Sequence, residues 1–153
     1  MILAPTRDAE AMSRVHGRSF DAPWAATEIS ALLDGPGVFA LAAHLDDGLA
    51  AFILCRAAAD EAEILTLAVS PEHRRCGVAA ALVEAGVATA QTLGAITVFL
   101  EVAVDNEPAL KLYAKHEFRP AGRRDSYYSR GLNRIDALVL RRDLNRASVE
   151  PYD

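Results

Sequence analysis

Three apolar runs, Val38 to Ala43, Leu49 to Arg56 and Glu61 to Val69, are separated by Asp46-Asp47-Gly48 and by the small, acidic stretch Ala58 to Asp60. Runs of that length between turn formers predict three strands joined as an antiparallel meander. Ahead of them, Ile2-Leu3-Ala4 predicts a short strand, and the spacing of Met12, Val15, His16 and Ser19 predicts a helix with Asp8 favourably placed in its first turn. A second helix is expected over Thr27 to Leu33, stopped by the breaker Asp34-Gly35-Pro36-Gly37. After Gly77 the positions Leu82, Val83, Gly86, Val87, Ala90 and Leu93 recur at helical spacing, up to Gly94, a natural C-terminal cap.

Ile96 to Val102 is β-branched and apolar enough for a buried central strand, and strand, helix, strand in this order implies a parallel neighbour. Asn106-Glu107-Pro108 opens a further helix that ends near His116. Strands around Arg123 to Tyr128 and Ile135 to Arg141 complete an α+β architecture with a mixed sheet.

Composition narrows this picture. With 153 residues, 52% of them apolar and 24% charged, the expectation is a single domain over 1–153, with Asn145 to Asp153 a flexible tail. Charges such as Asp34, Asp46 and Arg56 interrupt every hydrophobic stretch before it reaches membrane-spanning length. Arg7, Asp8 and Glu10 stand where a signal peptide would be apolar, so a cytoplasmic protein without a membrane anchor is expected. The net charge of -5 and the pI near 5.3 argue against direct nucleic-acid binding and suit a basic partner. Cys55 and Cys76 form neither a CxxC pair nor part of a His/Cys cluster, so no metal is expected. His16, His44, His73 and His116 are scattered and read as structural.

The first chemical signal is Val69-Ser70-Pro71-Glu72-His73-Arg74-Arg75-Cys76-Gly77-Val78-Ala79-Ala80, a small-residue turn between a strand and a helix. A helix N-terminus presents unpaired N–H groups and partial positive charge, and Gly and Ala let a pyrophosphate approach them closely. The plain alternative is a tight connection with two solvated arginines. No Lys-Ser or Lys-Thr follows the glycine and no three-glycine fingerprint is present, which disfavours nucleoside triphosphates and NAD.

The turn resembles the coenzyme A signature of the GNAT acetyltransferases, Gln/Arg-x-x-Gly-x-Gly/Ala, met by Arg74, Gly77 and Ala79. The resemblance implies the GNAT fold, a mostly antiparallel sheet of six to seven strands flanked by four helices. It also implies that the strand ending at Val69 splays from the next one. The backbone of Leu67, Ala68 and Val69 would then meet the pantetheine arm of acetyl-CoA, and Arg75, Cys76, Gly77, Val78, Ala79 and Ala80 the pyrophosphate.

The second signal is Glu101, which breaks an otherwise apolar strand, with Tyr113 on the helix that follows. Each has an ordinary reading, as an edge carboxylate and as a core tyrosine. Amide formation from a thioester needs a neutral amine and a proton for the leaving sulfur. Glu101 suits the first task, directly or through water, and Tyr113 the second. In "Leu-Glu-Val" at Glu101, in Asn106 and in "Leu-Tyr…Phe" at Tyr113, the chain is similar to the ribosomal-protein-alanine N-acetyltransferases of the RimI type. Likeness extends to Pro23-Trp24, to Arg123-Arg124-x-x-Tyr127-Tyr128 and to Asp136-Ala137-Leu138. It implies that Asn106 contacts the coenzyme, that the acceptor is the N-terminal alanine of a ribosomal protein, and that the enzyme is a monomer or weak dimer. Trp24 and Tyr128 are candidate walls of a peptide groove. Ala79 for Gly, Glu117 for Gly and Ser129 for Pro are departures from the pattern.

An α-amine also suits a single carboxylate base. Its pKa near ~7.8 leaves roughly a tenth of it neutral at pH 7, against less than about a thousandth for a lysine near ~10.4. Two other readings stay open at this point: a GNAT acting on a lysine, polyamine, aminoglycoside or amino acid, and a coenzyme A-binding module without catalysis.

Overall fold

The computed structural model describes residues 1–45, 48–130 and 132–144, so the expected flexible tail from Asn145 lies outside the described residues. Seven strands, β1 (Ile2–Pro5), β2 (Val38–Leu45), β3 (Gly48–Ala58), β4 (Glu61–Val69), β5 (Thr97–Ala103), β6 (Arg119–Arg130) and β7 (Asn133–Asp143), form one sheet in the order β1-β2-β3-β4-β5-β7-β6. Every neighbour is antiparallel except β4 and β5. Four helices, α1 (Ala9–Gly17), α2 (Ala26–Leu33), α3 (Val78–Thr92) and α4 (Glu107–Lys115), join them.

Local chemistry accounts for the boundaries. Asp8 caps α1 by accepting the Ala11 N–H at 3.1 Å, and Asn106 caps α4 by accepting that of Ala109 at 3.2 Å. The first helix stops at Gly17, two residues short of the Ser19 that its apolar spacing suggested. The Ser19 hydroxyl turns back onto the Val15 carbonyl instead, at 2.9 Å. β6 is twice the length expected, because Pro120 and Gly122 hide its first half and its pairing with β7 is broken at two irregularities.

The sheet is covered on both faces. Val78, Leu82, Val83, Gly86, Val87 and Ala90 of α3 press on Ile53, Cys55 and Ile64, while Met12, Val15, Ile29 and Leu33 of α1 and α2 press on Phe52, Leu54 and Ala68. Each large apolar side chain so buried contributes about 1.5–3 kcal/mol. A Cβ at Gly86 would lie 3.1 Å from Ile53 Cδ1, so glycine there sets the close approach of α3.

One irregularity positions the site. Leu54 pairs with Thr66 but Cys55 with Ile64, so Leu65 is an extra residue in β4. Ala62 and Ile64 before this bulge, and Leu67 and Val69 after it, all face α3, whereas Leu65 and Ala68 face α1 and α2. The parallel pairing of β4 with β5 covers only Glu61–Ile64 against Thr97–Leu100 and ends at the bulge. Beyond it the two strands part.

Candidate active site

The parting opens a cleft of about 450 Å³ lined by Leu65, Thr66 and Leu67 of β4, Glu101 and Val102 of β5, Asn106 and Tyr113 of α4, and Tyr127 and Tyr128 of β6. His16, Phe20 and Trp24 close its α1 side. Glu101 also lines a shallower groove of about 350 Å³ with Glu61, Glu63, Phe99 and Arg124. It therefore stands where the two spaces meet.

At the phosphate turn, Arg75 (φ 64°) and Gly77 (φ 80°) are both left-handed, which curls consecutive N–H groups into a concavity. The first intrahelical bond of α3 runs from Ala81 to the Gly77 carbonyl, and no side chain caps the helix, so the amides of Val78, Ala79 and Ala80 await an acceptor. A Cβ at Gly77 would meet nothing within 4 Å, so space stands above the turn. The surroundings are held rigidly: Cys76 Sγ reaches the His73 carbonyl at 2.6 Å, and Arg18 grips Glu72 at 2.8 and 2.6 Å. These features fit a pyrophosphate.

In β4, Ser70 donates its N–H to Ala50 of β3, so the alternation of a strand turns the main chain of Leu67 and Val69 the other way, toward the gap. The Val69 carbonyl is engaged by Ser19 Oγ at 3.2 Å and Arg74 Nε at 3.3 Å, which leaves its N–H. Ala68 is buried among the α1–α2 core residues, and the same alternation turns its main chain onto Phe52 of β3, away from the gap where the resemblance had placed it. Asn106 spends its Oδ1 on the α4 cap, so its amide nitrogen is the group that remains for a coenzyme.

Glu101 is 14% exposed, and Arg124 Nε lies 2.9 Å from its Oε1. The same guanidinium sits 5.0 Å from the centroid of the Tyr127 ring. Burial first, and then the Glu101 carboxylate that its hydroxyl meets, push the Tyr127 phenol up. Tyr128 donates to the Glu101 carbonyl at 3.1 Å and fixes the strand itself. A carboxylate has room for about four donors, so this clamp still admits an amine or a water.

Tyr113 is held from behind by the end of α4. Phe118 N–H bonds the Tyr113 carbonyl at 2.9 Å and Glu117 N–H that of Ala114 at 3.1 Å, a Schellman closure, with the two rings 5.5 Å apart edge to face. Glu117 occupies the left-handed position (φ 67°) that glycine favours, so its departure from the family pattern keeps the geometry at the cost of strain. Burial drives the Tyr113 phenol above its ordinary value, so the hydroxyl keeps its proton throughout the neutral range.

Among the residues singled out from sequence, Leu67, Glu101, Asn106, Tyr113, Trp24 and Tyr128 share one cleft, and Arg75 to Ala80 form the turn at the start of α3. Arg124, Tyr127, Phe20 and His16 were not assigned to the site. The Arg124 contact with Glu101 joins residues 23 positions apart, beyond any local pattern. For His16 a signal existed: His16, Phe20 and Trp24 are aromatic at intervals of four, and the imidazole is stacked on both rings, at 4.3 and 4.9 Å. Among the described residues no cluster of His, Cys, Asp or Glu is arranged for a metal, and no helix is long and apolar enough to cross a membrane.

Residues 8–118 match the model of the Acetyltransferase (GNAT) family. The chain is 30% identical over 135 residues to the [ribosomal protein bS18]-alanine N-acetyltransferase of Salmonella typhimurium, covering 88% of this chain and 90% of that one. It superposes on the crystal structure of the ribosomal-protein-S18-alanine N-acetyltransferase from Escherichia coli with a TM-score of 0.88 and 26% identity over 99% of each chain. Arabidopsis thaliana NAA60 in complex with acetyl-CoA shares the fold, with a TM-score of 0.82 and 20% identity over 94% of this chain and 98% of that one.

Proposed function

The chain belongs to the GNAT family of acetyl-CoA-dependent N-acetyltransferases, and on that premise we propose that it acetylates the free N-terminal alanine of a ribosomal protein in the cytoplasm. The observation that carries the reading is the parted β4–β5 pair, which sets Glu101, Asn106 and Tyr113 on one cleft. Similarity to the bS18-alanine enzymes over most of both chains supports the acceptor.

When bound, acetyl-CoA supplies an acyl thioester. The turn from Arg75 to Ala80 holds its pyrophosphate and the free edge of β4 aligns its arm. Glu101 takes a proton from the α-amine, directly or through a water, as the nitrogen–carbon bond forms. Tyr113, kept protonated by burial, gives its proton to the sulfur as the carbon–sulfur bond breaks. Arg124 and Tyr127 hold the Glu101 carboxylate in place. Trp24 and Tyr128 wall the acceptor. No covalent enzyme intermediate is required, and Cys55, with its thiol pushed up to about 12 by burial, is a core residue.

The test is thiol release from acetyl-CoA with short peptides: one beginning with alanine, the same peptide with a blocked amine, and one with only an internal lysine. Acetylation of the free alanine peptide, abolished by blocking, is the expected result. Turnover of lysine or small amines alone keeps the family and overturns the acceptor, and binding without turnover of any amine points to a non-catalytic module.

A further inference from the structure

His16 is a buried polar group that the chemistry above leaves unused. It is 2% exposed, at the end of α1, and its ring lies between Phe20 and Trp24 with interplanar angles of 23° and 17°. Nδ1 accepts the backbone N–H of Trp24 at 3.1 Å, so the neutral ring carries its proton on Nε2. Burial drives its pKa down to about 4 against a smaller opposing pull from Glu28, so the neutral form is the one present at pH 7.

Nε2 has no hydrogen-bond partner among the described residues. Among those residues no fully enclosed side-chain nitrogen or oxygen lacks a partner, so the small exposed surface of His16 includes Nε2, and the space it borders is the catalytic cleft. A single N–H donor, locked in tautomer and orientation and almost wholly desolvated, is therefore aimed at whatever fills that space. A buried donor left unmatched is costly, so its natural occupant carries an oxygen acceptor.

We propose that His16 Nε2–H donates a hydrogen bond to the carbonyl oxygen of the acceptor's first residue and so selects peptide N-termini over other amines. The inference deepens the peptide reading above and rests on it. In an N-terminal residue the carbonyl oxygen lies a fixed three bonds from the amine nitrogen, whereas a lysine ε-amine or a polyamine has no acceptor at that distance. Glu101 takes N–H groups and His16 gives one, so the cleft presents complementary halves to an α-amino carbonyl unit. The ring is also uncharged, and it does not repel the ammonium form in which most acceptors arrive.

The experiment is a cycle between residue and substrate. An alanine-initiated peptide and its analogue with a trans-alkene in place of the first peptide bond are assayed for kcat/KM with the wild type, His16→Phe and His16→Gln. The altered basicity of the analogue's amine affects all three enzymes alike and cancels in the comparison. The wild type is expected to lose at least about tenfold more than His16→Phe when the carbonyl is removed, since a neutral hydrogen bond to a desolvated donor is at stake. His16→Gln, whose amide N–H reaches about as far as Nε2, recovers part of that discrimination.

Equal losses in the wild type and His16→Phe, both binding acetyl-CoA in a thermal shift assay, overturn the inference alone. Failure of the wild type to acetylate the free peptide overturns the peptide reading and this inference with it. Should His16→Phe not fold, the wild type decides: its His16 Nε2–H proton resonance moves downfield with the acetylated peptide and not with its alkene counterpart, and equal shifts overturn the inference.

Discussion

The two ends of the cleft are built from different materials. At the end we assign to the coenzyme the groups on offer are main-chain amides, in the turn from Arg75 to Ala80 and along the part of β4 that β5 leaves unpaired, and the side chains from Cys76 to Ala80 are small. At the end we assign to the acceptor they are side chains, with His16, Phe20 and Trp24 from one segment and Tyr127 and Tyr128 from another, more than 100 residues away, lining the same cleft. A backbone device tolerates change in most side chains and ties its ligand to one chemistry. A side-chain device is altered by single substitutions, so one fold serves many acceptors.

The largest effect separates chemistry from binding. Glu101→Gln is expected to slow turnover by roughly 10² to 10⁴ while the acetyl-CoA Kd measured by calorimetry stays unchanged; near-normal turnover would remove Glu101 from the mechanism. Next comes the backbone device itself. Gly77→Val forces a branched side chain into a left-handed position and into the space above the turn, so the acetyl-CoA Kd should rise at least about tenfold. Unchanged affinity would show that the turn does not hold the pyrophosphate.

The acceptor end should betray itself in acid. The folded His16 titrates near 4 against 6.5 for the free ring, so between those values the unfolded chain binds the extra proton. Stability is complete above pH 6.5 and falls as pH drops toward 4. From pH 7 to 5 this ring alone should cost on the order of 2 kcal/mol, measured by urea unfolding. The expected mark is a flatter profile for His16→Gln; an identical slope would mean that the ring is not held neutral.

The smallest effect is a gain. Glu117→Gly relieves the left-handed strain behind Tyr113 and should stabilise the protein by about 0.5–1 kcal/mol, seen as a higher Tm. A lower Tm would mean that the Glu117 side chain contributes more than its backbone costs.

The same contrast governs what could be read from the sequence. The strand–turn–helix of the coenzyme end is contiguous, so Arg74, Gly77 and Ala79 carry the resemblance to the coenzyme A signature within one short segment. Glu101 and Tyr113 stand out because one interrupts an apolar strand and the other follows it on the next helix. Arg124 could not be placed, because its partner is fixed by how β7 seats β6 on the sheet rather than by neighbours in the chain. The bulge at Leu65 is equally hidden, since Ile64 and Leu65 are both apolar and either face of the sheet there accepts such a residue. His16 reads as structural because the four histidines are scattered along the chain, and its spacing with Phe20 and Trp24 marks an aromatic stack without showing that the stack borders the cleft.

β7 lies between β5 and β6, although β6 precedes it in the chain. During folding, therefore, β6 has no place on the sheet until β7 has docked, and that docking must bring Thr97 beside Asp143, 46 positions apart. On the other side, β2, β3 and β4 meet through short hairpins whose loops are easily closed. The wall that carries Arg124, Tyr127 and Tyr128 thus joins the sheet only through β7, and the cleft is walled on that side only with the completed sheet.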